Sequence, residues 1–180
     1  MKKCWLPEIE QVDANNWNLT SESLYDIFYH DFIQNRVFYK GLPVNVRKYP
    51  RDDNKEEAYY HVTCKDYTGN KERSPDFRRS ERIRWIRAFI DNYHKCENCE
   101  LSNCDGIKIW EEPYKNGNTR VMMLLEEERY IVILERRNSF YLLITAYYLD
   151  YDHSLKKCLN KYNQYVGSSY ARPYILSFNH

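Results

Sequence analysis

The chain has 180 residues, 43% of them hydrophobic, and a formal net charge of +1. That length and apolar content suit one domain with its own core, and the near-neutral charge excludes a polycation that coats nucleic acid along its whole surface. No stretch approaches the ~18 continuous apolar residues of a membrane span. Glu8, Glu10 and Asp13 interrupt the run that a signal peptide opened by Met1-Lys2-Lys3 would need, so a cytoplasmic location is expected.

Leu24, Ile27, Phe28 and Phe32 fall at helical spacing after Ser21-Glu22-Ser23. This predicts an amphipathic helix over 21–34 with Thr20 or Ser21 as its cap. Gly41 to Lys48 reads as extended and Pro50 to Glu57 as a charged connection, so residues 1–57 form a helical and extended lead-in. Ala58-Tyr59-Tyr60-His61-Val62-Thr63 follows, a short aromatic piece with a single histidine. An isolated histidine is more often structural than catalytic, and only its surroundings decide.

From Lys71 to Arg87 there are seven basic residues against three acidic ones, although the whole chain nets only +1. Positive charge is therefore concentrated here. Ser74-Pro75-Asp76 is a helix-start signal, and Ile83, Ile86, Phe89, Ile90 and Tyr93 make one apolar face of a helix over 79–93 that would pack on a sheet. Its Arg82, Arg84 and Arg87 must then lie on the flanks. They either form a solvated face or meet phosphates.

His94, Cys96, Cys99 and Cys104 lie within the eleven-residue stretch 94–104 and include a Cys-x-x-Cys pair. These are the ligand types of a structural Zn²⁺ site, at tighter spacing than in common zinc fingers. A reduced loop with free thiols and a redox-sensitive pair are the other two readings. Cys4, Cys64 and Cys158 are dispersed and read as buried thiols. The 18 tyrosines offer stacking surface for bases but also serve core packing.

Ile107 to Leu149 reads as four strands in an antiparallel meander, with turn chemistry at Asn116-Gly117-Asn118 and runs rich in Ile, Val, Leu and Tyr at 129–135 and 140–149. Period-two alternation places Tyr141, Leu143, Thr145 and Tyr147 on one face of the last strand. Phe140, Leu142, Ile144, Ala146 and Tyr148 take the other, which is expected to face the core. A short basic helix from Asp150 to about Tyr165 and a loose tail, 166–180, complete the chain. The fold class is α+β: N-terminal helices packed on a four-stranded antiparallel sheet, with a short C-terminal helix.

The order of these parts is His61, then the helix with Arg79-Ser80-Glu81-Arg82-Ile83-Arg84-Trp85-Ile86, then four strands ending in Ile144-Thr145-Ala146-Tyr147. It resembles the metal-independent ribonucleases of the barnase, EndoU, colicin and RelE type, and within them the phage-borne branch. The resemblance covers roughly residues 58–165, and the cysteine-rich loop 94–104 departs from the minimal fold. It implies an endoribonuclease, of a phage- or prophage-encoded toxin or effector type, in which a 2′-hydroxyl attacks its own phosphodiester to leave a 2′,3′-cyclic phosphate. His61, Arg82, Arg120 and Thr145 would then be catalytic. Arg78, Arg79, Arg84, Tyr141 and Tyr147 would bind substrate. No cofactor would be needed for the chemistry, with Zn²⁺ a candidate for structure alone; RNA is the implied partner, and an immunity or antitoxin protein a candidate second one. The alternative is a non-catalytic RNA- or protein-binding module of the same fold.

Overall fold

A computed structural model describes residues 4–66, 73–98 and 104–167 of the chain. Helix α1 (Trp17–Phe28) follows a short 3₁₀ turn, Ala14–Asn16, and runs on into a wider-wound turn, Tyr29–Gln34. It begins before the expected position. Asp13 caps the turn by accepting from the Asn15 N–H at 2.9 Å, while Thr20, expected as the cap, is buried and exchanges hydrogen bonds with the Asp13 backbone.

Strands β1 (Val37–Tyr39) and β2 (Leu42–Val46) form a hairpin around Lys40 and Gly41, whose φ angles are +47° and +79°. Two successive left-handed residues match the right-handed twist of hairpin strands, which is why a glycine occupies the second place. Helix α2 (Glu57–Thr63) leads into a small ladder of β3 (Cys64–Asp66) and β4 (Arg73–Pro75). The predicted basic helix is split into α3 (Phe77–Ser80) and α4 (Ile83–Asn92), and Asp76 caps α3 through the Arg79 N–H. Strands β5 (Ile107–Pro113), β6 (Thr119–Leu125), β7 (Tyr130–Arg136) and β8 (Tyr141–Tyr148) then form the meander, and α5 (Asp152–Tyr165) closes the fold.

The sheet is wider than expected. It has six strands in the order β1-β2-β8-β7-β6-β5, with β2 parallel to β8 and every other pair antiparallel. The expected four-stranded antiparallel sheet is thus the β5–β8 part of a mixed sheet, and the lead-in supplies the remaining strands. Residues before 58 also fill the main core, through Leu24, Phe28, Tyr39 and Val44. The sheet curls until its outer strands approach each other: Lys40 Nζ, in the turn after β1, lies 3.5 Å from Glu111 Oε1 on β5.

Strand β7 is apolar almost throughout because both of its faces are covered. Tyr130, Val132 and Leu134 belong to the main core with Leu24, Tyr59, Ile86 and Phe89. Ile131 and Ile133 belong to a second cluster with Trp110, Met122 and Leu124, over which α5 lays Leu155, Leu159 and Tyr162. These α5 side chains are only partly buried, so each contributes less than the about 1.5–3 kcal/mol of a fully buried one, and α5 is held on the back of the sheet by several such contacts together.

Strict alternation fails on β8 at one place. Ile133 pairs with Thr145 but Leu134 pairs with Leu143, leaving Ile144 as the extra residue of a β-bulge. Tyr141 and Leu143 therefore turn into the main core, at 3% and 2% exposure, while beyond the bulge Ala146 and Tyr148 are the ones that pack there. The expectation that Tyr141 shares an open face with Thr145 and Tyr147 is corrected by this one inserted residue. Among the described residues no helix is long and apolar enough to cross a membrane.

Candidate functional site

The bulge opens a cleft of about 520 Å³ at the end of the sheet, with Thr145, Arg120 and His61 on its walls. His61 stands in the last turn of α2, where two long-range hydrogen bonds fix its backbone. Its carbonyl accepts from Thr145 Oγ1 at 2.8 Å and from Arg79 Nη1 at 3.1 Å. The orphan carbonyls at a helix end are what such donors satisfy. Thr145, which the resemblance would make catalytic, here pins the histidine to β8.

The His61 ring is 44% exposed, and its Nε2 lies 3.3 Å from Glu57 Oε1 one turn earlier. Arg73 holds the other oxygen of Glu57, which fixes that carboxylate. Partial burial lowers the His61 pKa below its ordinary 6.5; Glu57 opposes the shift, and Arg47, Arg73 and Arg79 add to it. At neutral pH the ring is therefore uncharged and able to accept a proton.

Arg120 on β6 and Glu135 on β7 are direct cross-strand partners, so their side chains share the face that carries Met122 and Ile133. Glu135 is only 3% exposed, and a carboxylate so buried needs compensating donors. Arg137 Nη2 lies 2.5 Å from its Oε1 and Arg120 Nε 3.6 Å from its Oε2, while Asn118 Nδ2 donates to Oε1 at 3.4 Å. The Arg120 guanidinium also stacks 3.5 Å over the Tyr114 ring. Glu135 in this way gathers two guanidiniums beside the cleft. Arg47 and Lys115, both exposed, bring the lining to four permanent cations against the one carboxylate.

The arginines of the basic segment do not reach this cleft. Arg82 is 13% exposed, paired with Glu81, bonded to the Arg78 carbonyl at 3.1 Å, and stacked near Trp85 and Tyr148. Arg79 ties the ends of α2 and β3 together through the His61 and Cys64 carbonyls and lies 5.3 Å from the Tyr147 ring centroid. Arg78 pairs with Asp150, and Arg84 with Glu10 in the N-terminal segment. These side chains staple elements together, which the charge run alone could not distinguish from a phosphate-binding face. Tyr147 is partly buried against the second core cluster, and burial raises its phenol pKa. Tyr141 lies in the main core with its ring edge-on to Tyr39, so it offers no stacking surface.

Arg47, Lys115, Glu135 and Arg137 line the cleft and were not singled out by the sequence. Arg137 carried a signal, since it stands just after an apolar strand and two residues from a carboxylate that cannot be buried without a cation. Arg47 follows β2, whose pairing with β8 has no local signature.

The cysteine-rich loop is described in part, and Cys99 lies outside the described residues. Cys96 and Cys104 meet at Gly106: a Cβ there would come within 2.8 Å of Cys96 Cβ, and the Gly106 N–H donates to Cys104 Sγ at 3.4 Å. The Gly106 φ of +76° and this close approach both require glycine. Burial raises the Cys104 thiol pKa, and the nearby Cys96 and Cys4 thiols add to the rise. His94 is exposed and stands edge-on to Tyr93, and Cys4 is exposed, not buried as expected. Among the described residues no three histidine, cysteine, aspartate or glutamate side chains form a ready metal site.

No protein-family model matches the chain, and neither a curated protein nor a solved structure is found to be similar to it.

Proposed function

We propose that the protein is a metal-independent endoribonuclease acting at the cleft between α2 and the β6–β8 sheet. The observation that supports this reading is the convergence of His61, Arg120 and Thr145 on one cleft that four permanent cations line. An uncharged imidazole beside that much positive charge suits a reaction in which a hydroxyl loses a proton while a phosphodiester gains negative charge. His61 accepts the proton of the RNA 2′-hydroxyl, and the oxygen attacks the adjacent phosphorus. Arg120 and Arg137 stabilise the pentacoordinate phosphorane. The bond from phosphorus to the 5′-oxygen then breaks, and the leaving oxygen takes a proton from the imidazolium or from the Lys115 ammonium. The products are a 2′,3′-cyclic phosphate and a 5′-hydroxyl. Relative to the residues inferred from resemblance, Arg137 takes the place of Arg82 in this scheme.

The second reading, a binding module without catalysis, draws on Glu135, whose carboxylate already occupies Arg120 and Arg137 and reduces what they offer a phosphate. The two readings separate in one assay. Purified protein is incubated with mixed RNA in EDTA and the cleaved ends are analysed. Cyclic-phosphate ends are expected; strict dependence on added Mg²⁺ overturns the mechanism, and tight RNA binding without cleavage favours the binding module.

A further inference from the structure

The cleft continues in two directions, one past His61 and one past Asn118 and Arg137, and only the second has a net positive lining. On one side, His61 also lines a cavity of about 540 Å³ with Asp52, Glu57 and Arg73. There the Arg73 guanidinium is already held by Asp52 and Glu57, and Lys65 pairs with Asp76 and Asp150. Lys65 and Arg73 are balanced there by Asp52 and Glu57 on the same walls, so the lining carries no net positive charge to attract a phosphate.

On the other side, Asn118 and Arg137 are shared with a cavity of about 760 Å³, lined by Gly117, Thr119, Arg136, Asn138, Ser139 and Phe140. Among the described residues no carboxylate lines it, and the nearby Glu135 is held by Arg137 from the side of the first cleft. Its floor is the cross-strand pair Thr119 and Arg136, and its walls are the turn at Gly117 and the hairpin loop 137–140, where the Arg137 N–H donates to the Phe140 carbonyl at 2.8 Å. Asn138 and Ser139 are exposed at the loop tip, and Phe140 is partly exposed. Guanidinium for phosphate, an aromatic ring for a base face and short polar side chains for a base edge are together the groups that hold one nucleotide.

We propose that this cavity is a second nucleotide subsite of the same cleft, so that the substrate is a single RNA strand presenting at least two consecutive phosphates, extended toward Asn138 and away from Asp52. The inference rests on the nuclease reading of the His61 cleft and adds the substrate's form and direction. A duplex does not suit the site for a reason of geometry. In an A-form helix the 2′-oxygen, the phosphorus and the 5′-oxygen are far from one line, so in-line attack requires the strand to leave the stack, as enzymes acting on a single nucleotide generally require.

The test combines binding and cleavage. Asn138→Asp/Ser139→Asp places two carboxylates at an exposed loop tip, where the fold is not at stake. Affinity is measured for 2′-O-methyl oligonucleotides, which cannot be cleaved, of two and of four residues, at several salt concentrations. For the native chain, the four-residue strand is expected to bind about tenfold tighter, with a steeper salt dependence by about 0.7 for each added phosphate contact. The double variant is expected to lose that advantage while binding the two-residue strand unchanged. A four-residue strand that binds no better than a two-residue one, or equal losses for both lengths in the variant, overturns the subsite. Length-dependent binding that the variant abolishes, with no cleavage of unmodified RNA under any condition, leaves the subsite standing and overturns the nuclease reading. Cleavage of a duplex at the rate of the single strand overturns the strand requirement.

Discussion

Replacing Glu57 with Gln removes the one group that holds the His61 pKa up. The carboxylate lies 3.3 Å from Nε2 and opposes both partial burial and the positive field of Arg47, Arg73 and Arg79. At that distance a pair of unit charges interacts by about 1.3 kcal/mol in a water-like dielectric, the appropriate limit for a ring 44% exposed to solvent. The pKa of the native ring is already below 6.5, and losing the carboxylate that opposes the shift lowers it further. If His61 is the base, the acid limb of kcat/KM against pH moves toward acid with it. Activity at low pH rises relative to the native protein, and the plateau falls because a weaker base draws the 2′-hydroxyl proton less strongly. Stability responds in a fixed direction. A histidine whose folded pKa is depressed binds fewer protons folded than unfolded, so stability falls as pH drops through the unfolded pKa toward the folded one, and Glu57→Gln widens that window on its acid side. The measurement is a pH–rate profile beside chemical denaturation at pH 5 and pH 7. An acid limb that stays where it was would refute the coupling of Glu57 to the reacting group.

His61→Ala is expected to lower the cleavage rate by about 10² to 10⁴-fold while leaving affinity for a 2′-O-methyl oligonucleotide nearly unchanged, since general base catalysis acts in the transition state. Full cleavage by the folded variant would move the base elsewhere. Arg82→Ala, by contrast, is expected to leave RNA affinity and its salt dependence unaltered and to cost about 1 kcal/mol of stability in urea denaturation, because its donors go to Arg78 and Glu81 and not to the cleft. Elemental analysis of protein purified without a chelating column tests the zinc reading of the loop. If His94, Cys96, Cys99 and Cys104 close a four-ligand site, about one zinc per chain is found and is lost in Cys104→Ser with a fall in thermal stability, whereas a metal-free and equally stable native protein leaves Cys96 and Cys104 as free thiols.

Much of the sheet is legible in the sequence because its information is local. Strands β6, β7 and β8 alternate or run apolar between turn residues, and Ile83, Ile86, Phe89 and Ile90 do form the buried stripe of α4. What was not legible depends on partners far away in the chain. Leu42–Val46 contains Pro43 and gives no local sign that it lies parallel to Tyr141–Tyr148. The bulge at Ile144 adds no turn residue, yet it decides that Leu143 faces the core while Thr145 reaches the His61 carbonyl. The arginine run was ambiguous for a related reason: an arginine that binds carbonyls, as Arg87 does at Asp31 and Asn35, looks in sequence like one that waits for phosphate. Thr145, Arg120 and His61, singled out in the sequence, line one cleft, but the carboxylate organising the arginines was hidden in an apolar strand.

The pairing of β2 with β8 has a consequence for the order in which the molecule can come into being. Arg47 directly follows a strand whose neighbour is made almost a hundred residues later. Helices α1 to α4 and strands β5 to β7 are therefore synthesised before β2 finds the edge it needs, and contacts so distant in sequence are the slow ones to form. Until then the Arg47 wall and the Thr145 anchor of His61 do not exist. If the cleft cuts RNA, the nascent chain is harmless to the messenger and ribosome that produce it until β8 has been made and has paired with β2.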